Sequence, residues 1–550
     1  MKKFFEKVGR AVVGRKGIGN TLTAVIIVAV VMLNILVYTV TNAFGLYAYS
    51  KESEDLSISG NTDELFASAI KAGKKVTITF CYAEDSLEKH DTGKFVLATA
   101  RAFQERYPEL IDLKFVNLLT KMDEDRKIFK FEDYHEISCP GCKSNVCVRD
   151  TYDQETGKNK CPKCENELSA DDLSKVITTF KQNSVIFESG EGRERSFRII
   201  TDTYTSAGFV DFYILNSAGS IVSYNGEEVI AAMISWVLHE NHPTVYFTQN
   251  HGETADIAFS NLLTCAGYYV EVINLRKQEI PKNAGAIIIS NPTSDFESSL
   301  EDAVVRGEIE KLADYLEDGG KVYVALDPYV KKLVNLEGFL ENWGIELASV
   351  ESDGVTMREV VKESSNAITT DGYTFVATHA DNTLSNEILS KVQMHGQDKV
   401  LLSNVNRLKL TPNASANLDV QPILVSGSTA VTYAGGSVVD REGNYPVAAY
   451  SSKTNGDKSS VLFVIPTAYI TATDAFVSEG YSNKDFLYAT FEVLFDANPA
   501  PYGCNQILYD TQILENFTMG RARAYTAIIL AIPAALALTG LIIIVRRKNR

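Results

Sequence analysis

The chain has 550 residues, 45% hydrophobic and 22% charged, with a formal net charge of −17. That length is far too great for one hydrophobic core and predicts two or three domains, while so acidic a chain repels phosphate backbones and excludes nucleic acid as a partner. Eight cysteines in a chain this long exclude a disulfide scaffold.

The N-terminal MKKFFEKVGRAVVGRKG sets Lys2, Lys3, Lys7, Arg10, Arg15 and Lys16 against a lone Glu6. No charge follows from Gly17 to Ser50, and TLTAVIIVAVVMLNILVYTV is long enough to cross a bilayer as a helix, which takes about 20 residues. Residues 1–20 are therefore expected to be a cytoplasmic basic tail and 21–43 a transmembrane helix. A cleaved signal peptide is the competing reading, with Thr41 and Ala43 at a peptidase site, but the apolar run exceeds the usual h-region of about 7–15 residues.

Residues 55–225 are expected to form a thioredoxin-like or Rossmann-like domain. VTITFCY from Val76 has strand composition, FVLATARAFQERYP is amphipathic at helical spacing and LIDLKFVNL is a second strand, giving a β-α-β unit. No Cys-x-x-Cys opens the helix, so Cys81 reads as a small buried hydrophobe. SVIFESGEGRERSFRII then predicts a hairpin turning at Gly190-Glu191-Gly192, and YNGEEVIAAMISWVLHEN from Tyr224 predicts a helix.

The stretch CPGCKSNVCVRDTYDQETGKNKCPKC interrupts this domain, within an insertion spanning 135–170. Its two Cys-x-x-Cys pairs, Cys139/Cys142 and Cys161/Cys164, have the spacing of a zinc ribbon. Four thiolates close a tetrahedral shell with no open position, so the expected zinc is structural. Two disulfides are the alternative that an oxidising exterior favours. Cys147 is a spare thiol, a substitute ligand or a disulfide partner.

Residues 226–345 alternate strand and helix: TVYFTQ, TADIAFSNLLTCAG, YYVEVINL, AGAIIISNP, GEIEKLADYLEDGG and KVYVALDP. A parallel sheet with helices on both faces is the economical packing. The turn Asn250-His251-Gly252-Glu253 lies just beyond a strand and before a helix, where α/β sheets place ligands. Functionally, His251 and the helix N-terminus would bind an anion or a partner; structurally, Glu253 caps amides and Gly252 supplies the turn. A hydrolase would need a nucleophile after KVYVALDPY, where Leu326-Asp327-Pro328 supplies none, and no phosphate-binding loop or Gly-x-Ser-x-Gly elbow is present. Cys265 reads as core or helix end, and Asp295, Glu297, Glu301 and Asp302 read as a cation site or, more simply, an acidic solvated rim.

Residues 346–520 form a strand-rich α/β continuation, with turns at YAGGS and REGNYP and a late helix NKDFLYATFEVLF. AYTAIILAIPAALALTGLIIIV, residues 524–545, predicts a second transmembrane helix, and RRKNR, 546–550, a second cytoplasmic basic tail. The first 20 residues carry +5 and the last five +4, so −26 falls between them. The expected product is a two-pass cell-membrane protein with both termini cytoplasmic and a large extracytoplasmic domain.

YNGEE before a helix, VYFTQNHGE, AIIISNPTS, IEKLADYLEDGGKVYVALDP, LEGFLENWGIEL and the closing SSVLFVIPTAYITATDAFVSEGYSNKDFLYATFEVL together resemble the GldG-like auxiliary, substrate-binding-like component of ABC-2-type transport systems. Asn250 stands where that family usually has a glycine, and Asn483 at its "asparagine then apolar helix" ending. The resemblance implies an amidotransferase-like fold without its nucleophile over 226–345. It also implies a non-enzymatic subunit acting by contact with an ABC permease and a separate cytoplasmic ATPase, with or without cargo binding. Two other functions compete: an ectoenzyme using the NHGE turn, and a thiol redox protein using the Cys-x-x-Cys pairs.

Overall fold

The computed structural model describes residues 56–508, apart from 57, 91, 119–128, 143–144, 155, 178–183, 192–194, 202–209, 216–218, 220, 254–256, 300–305, 353, 395–397, 413–416, 457 and 479. The described residues open with α1 (Thr62–Lys71), β1 (Val76–Phe80), α2 (Gly93–Arg106) and β2 (Ile111–Phe115), and after the cysteine insertion continue with β3 (Ser184–Ser189) and β4 (Ser196–Thr201). These strands form one sheet in the order β2-β1-β3-β4. β1 and β2 are parallel, with Val76 opposite Ile111 and Phe80 opposite Phe115, whereas β3 runs antiparallel to both of its neighbours.

Helix α3 (Gly226–Leu238) is buried at every position. Beyond Glu227 and Glu228 in its first turn the helix is apolar almost all round, and such a helix cannot face water and has to be enclosed. Its Val229, Ile230 and Trp236 share a core with Phe66 of α1 and with Val96 and Phe103 of α2, so the helix that opens residues 226–345 completes the first sheet's packing.

The larger sheet and the helices on it are β5 (Thr244–Thr248), α4 (Ile257–Cys265), β6 (Tyr269–Ile273), β7 (Ala284–Ser290), α5 (Glu308–Glu317), β8 (Lys321–Ala325), α6 (Val334–Asn342), β9 (Thr374–His379), α7 (Thr383–Met394), β10 (Val400–Ser403), β11 (Leu418–Val425), β12 (Pro446–Asn455), β13 (Lys458–Ile465) and α8 (Asn483–Phe495), with shorter strands pairing in small sheets beside them. Nine of these strands make one sheet in the order β6-β5-β7-β8-β13-β12-β11-β9-β10. Pairing is parallel from β6 to β13 and antiparallel from there to β10.

Residues alternate between the two faces of this sheet, as strand geometry requires. Val245, Phe247, Ile288, Tyr323 and Phe463 pack under Phe259 of α4, Ile388 of α7 and Phe491 of α8. Tyr246, Ile287, Val322, Val324 and Leu462 pack under Leu312 of α5 and Leu336 and Leu340 of α6.

Two expectations are corrected here. Separate parallel-sheet domains followed by a strand-rich part become a four-stranded mixed sheet and a nine-stranded mixed sheet. Strand β13 is the reason, because Val461 to Ile465 are buried on both faces, a pattern that belongs at a sheet's centre, and β13 pairs in parallel with β8, Lys321 opposite Val461.

The second correction concerns the membrane. Among the described residues no helix is long and apolar enough to cross one. The longest of them, α2, has 14 residues, about 21 Å of helix against a hydrocarbon core of about 30 Å. Segments 21–43 and 524–545 lie outside the described residues. The two flanking spans, and the two-pass cell-membrane localisation that depended on them, therefore have no support among the described residues.

Candidate functional site

The cysteine insertion is built from very short pieces: antiparallel strands Glu136–Ser138 and Asn145–Cys147, a second pair Tyr152–Asp153 and Lys158–Asn159, and a helical turn Ala170–Ser174. Ser169 and Asp172 close that turn with a reciprocal capping box. Among the described residues its own buried core is Ile137, Val146 and Leu168 besides Cys139 and Cys161, with Val148 and Leu173 partly buried against it.

Both Cys-x-x-Cys turns aim at one point. Cys139 Sγ lies 3.7 Å from Cys164 Sγ and Cys142 Sγ 3.7 Å from Cys161 Sγ, and all four sulfurs lie within 4.8 Å of one another. A tetrahedral ion with bonds of about 2.3 Å separates its sulfurs by roughly 3.8 Å, while a disulfide requires about 2.05 Å. The four cysteines cluster within metal-binding distance, in an arrangement compatible with a structural zinc site. Cys147 stands apart, its thiol donating to the Asp133 carbonyl at 3.3 Å.

Local chemistry holds the two turns together. Cys161 N–H donates to the Asn166 carbonyl at 2.9 Å, and Lys163 N–H donates to Cys161 Sγ at 3.4 Å. At Gly141 a Cβ would stand 3.0 Å from the Asn166 side chain, so glycine lets the two turns close on each other. The insertion also reaches the larger sheet's side of the molecule, where Asn283 Nδ2 donates to the Cys142 carbonyl at 3.0 Å.

The NHGE turn leaves the end of β5. Asn250 and Gly252 take positive φ, 85° and 73°, and a Cβ at Gly252 would collide with Thr293 Oγ1. His251 is 0% exposed. Its Nδ1 lies 2.8 Å from Glu253 Oε1 and its Nε2 2.9 Å from Glu308 Oε2, and its ring stacks on Phe296 at 3.8 Å. The His251 carbonyl accepts from Thr293 and Ser294 N–H at 2.8 and 2.9 Å. The turn therefore ties the end of β5 to the loop after β7 and to the first residue of α5. Glu253 is engaged through both oxygens, since Oε2 accepts His251 N–H at 2.7 Å. Asn250 is exposed.

Burial alone would lower the His251 pKa, but the two carboxylates outweigh it and raise the imidazole to about 9. Burial would likewise raise Glu253 and Glu308, yet their bonds to His251 hold both below the ordinary carboxylate value. The raised histidine contributes stability that is complete below its unfolded pKa of about 6.5 and is lost as pH rises through about 9. The depressed carboxylates contribute above their unfolded pKa and lose that contribution as pH falls through their folded values. Urea unfolding is therefore expected to show the protein losing about 2–3 kcal/mol between pH 6 and 9 relative to His251→Gln. Parallel curves for the two proteins would contradict this.

A third cluster escaped sequence reasoning. Glu228 of α3 accepts from Lys484 Nζ at 2.7 Å, Tyr488 OH at 2.7 Å and Asn225 Nδ2 at 2.8 Å. Its neighbour Glu227 accepts from Ser59 and Asn505 N–H, each at 2.8 Å. Asn483 fixes the start of α8 to β10, accepting Leu401 N–H at 2.9 Å and donating to the Leu401 carbonyl at 2.7 Å. A cavity of about 200 Å³ opens beside Glu228, Lys484 and Asp485. The only sequence signal was YNGEE itself, two carboxylates in the first turn of an otherwise apolar helix.

No family model matches this chain, and no curated protein does. Among solved structures, the chain is similar to the mmIFT52 N-terminal domain (16% identity, TM-score 0.33, 45% of this chain and 96% of that one). It is also similar to a ThuA-like protein from Bacteroides uniformis (14% identity, TM-score 0.28, 48% and 97%). A third similar structure is PurLQS from Thermotoga maritima (12% identity, TM-score 0.24, 46% and 99%).

Proposed function

We propose that this chain is a non-catalytic accessory subunit of an ABC-2-type transport system, working by contact with a permease and its separate ATPase, and that its four clustered cysteines hold one structural zinc. The GldG-like motifs supply the system. The His251 clamp carries the non-catalytic part of the reading. At the strand end where an α/β enzyme would present its reacting groups, the histidine is fully buried and both ring nitrogens are held by carboxylates. A general base needs a free nitrogen within hydrogen-bond reach of the substrate, and this ring offers none. Leu326-Asp327-Pro328 after β8 adds no nucleophile. The zinc would brace the insertion by holding Cys139, Cys142, Cys161 and Cys164 in one shell, which leaves no position for substrate.

The expected outcome is no turnover by the purified full-length chain against ester, amide, phosphoester and glycoside substrates. Turnover that disappears in Glu253→Gln, with the fold retained by circular dichroism, would overturn the reading in favour of an enzyme.

A further inference from the structure

The cavity beside α8 shares no lining residue with either the cysteine cluster or the His251 clamp. Its walls include Phe476, Tyr481 and Ser482 on the approach to α8, Asp485 in the helix's first turn and Gly503 in the segment that follows. Glu228 and Lys484 also face it, but their charges cancel in the 2.7 Å pair. Asp485 is different: among the described residues its carboxylate accepts one hydrogen bond, from Gly503 N–H, at 3.2 Å. Burial pushes its carboxyl up to about 6, against the opposing charge of Lys484, which is itself bonded to Glu228.

We infer that this cavity binds a small organic ammonium ion, with Asp485 as its counter-ion. Three features agree on that class. One uncompensated carboxylate calls for a single positive charge. The volume of about 200 Å³ is many times the roughly 10–15 Å³ that a single water needs, too roomy for a bare metal ion that would find one free carboxylate. Phe476 and Tyr481 are among the lining residues, and aromatic rings attract alkylammonium groups. The first turn of α8 also faces this space, and helix N-termini draw anions, so an anion is the competing occupant. The inference rests on the cavity alone and is independent of the transport reading.

The test is calorimetric titration of the full-length protein with ethylammonium and tetramethylammonium, beside the neutral isostere tert-butanol, the anion acetate and the zwitterion glycine. Saturable binding of an ammonium ion is expected, with tert-butanol and acetate at least about tenfold weaker, equivalent to 1.4 kcal/mol. Asp485→Asn is expected to weaken the ammonium by about tenfold or more. Tyr481→Ala, a change in a part-exposed residue outside the Glu228 pair, is expected to weaken tetramethylammonium more than ethylammonium, which keeps the test decisive should Asp485→Asn unfold. No ammonium binding, equal binding of the neutral isostere, or a preference for acetate would each overturn the inference.

Discussion

Replacing His251 with alanine is expected to lower the unfolding free energy by about 3–5 kcal/mol, the usual loss when one partner is removed from a buried ion pair. The variant strands two carboxylates: the Glu308 side chain is 1% exposed and that of Glu253 7%. Among the described residues Glu308 Oε1 already lacks a hydrogen-bond partner, so the loss of the imidazole leaves its Oε2 with the Glu297 N–H at 2.9 Å and with Arg276 at 3.6 Å. Phe296 loses its stacked ring at the same moment. Pairing His251→Leu with Glu308→Gln is expected to recover part of the loss, because removing both charges removes the desolvation cost as well. Denaturant midpoints for the single and double variants measure this. A loss below about 1 kcal/mol would mean that the clamp does not hold the β5, β7 and α5 ends together.

Replacing Cys161 with serine is expected to abolish metal retention and to open the insertion to protease between residues 135 and 170 while the two sheets stay resistant. The reasoning lies in the insertion's size. Three buried aliphatic side chains cannot offset the conformational entropy of ordering such a segment, at about 1–2 kcal/mol per residue. Structural zinc in small modules supplies about 10–16 kcal/mol of apparent binding free energy, which becomes folding free energy. Cys147→Ser is expected to leave the metal count unchanged, because its thiol is turned to the Asp133 carbonyl. Metal analysis and limited proteolysis of both variants decide it. Full metal retention by Cys161→Ser would show that the four-sulfur shell is not the binding site.

Some of this was legible in the residues and some was not. The cysteine spacing read directly as a four-sulfur knuckle, because each Cys-x-x-Cys turn is local and its geometry depends on a few neighbours. The NHGE turn was legible as a special site, but not its second carboxylate: Glu308 lies 57 residues on from His251, in a helix that by sequence looks merely capped. Strand β13 was recognisable as a strand, yet its parallel pairing with β8 spans 140 residues between Lys321 and Val461, and strand composition does not encode a neighbour that distant. The same distance hides the Glu228–Lys484 pair, 256 residues apart. Helix α3 looked like the opening of the second domain because it directly precedes β5, whereas its apolar circumference is what the first sheet required.

The most direct test of the proposed role is affinity isolation of the full-length chain from its native source in mild detergent, with the copurifying chains identified and zinc counted on the same sample. The account predicts an ABC permease and a separate ATPase in the eluate, with about one zinc per chain. A chain that elutes without either transporter subunit, under conditions in which a known permease–ATPase pair from the same extract stays associated, would contradict it.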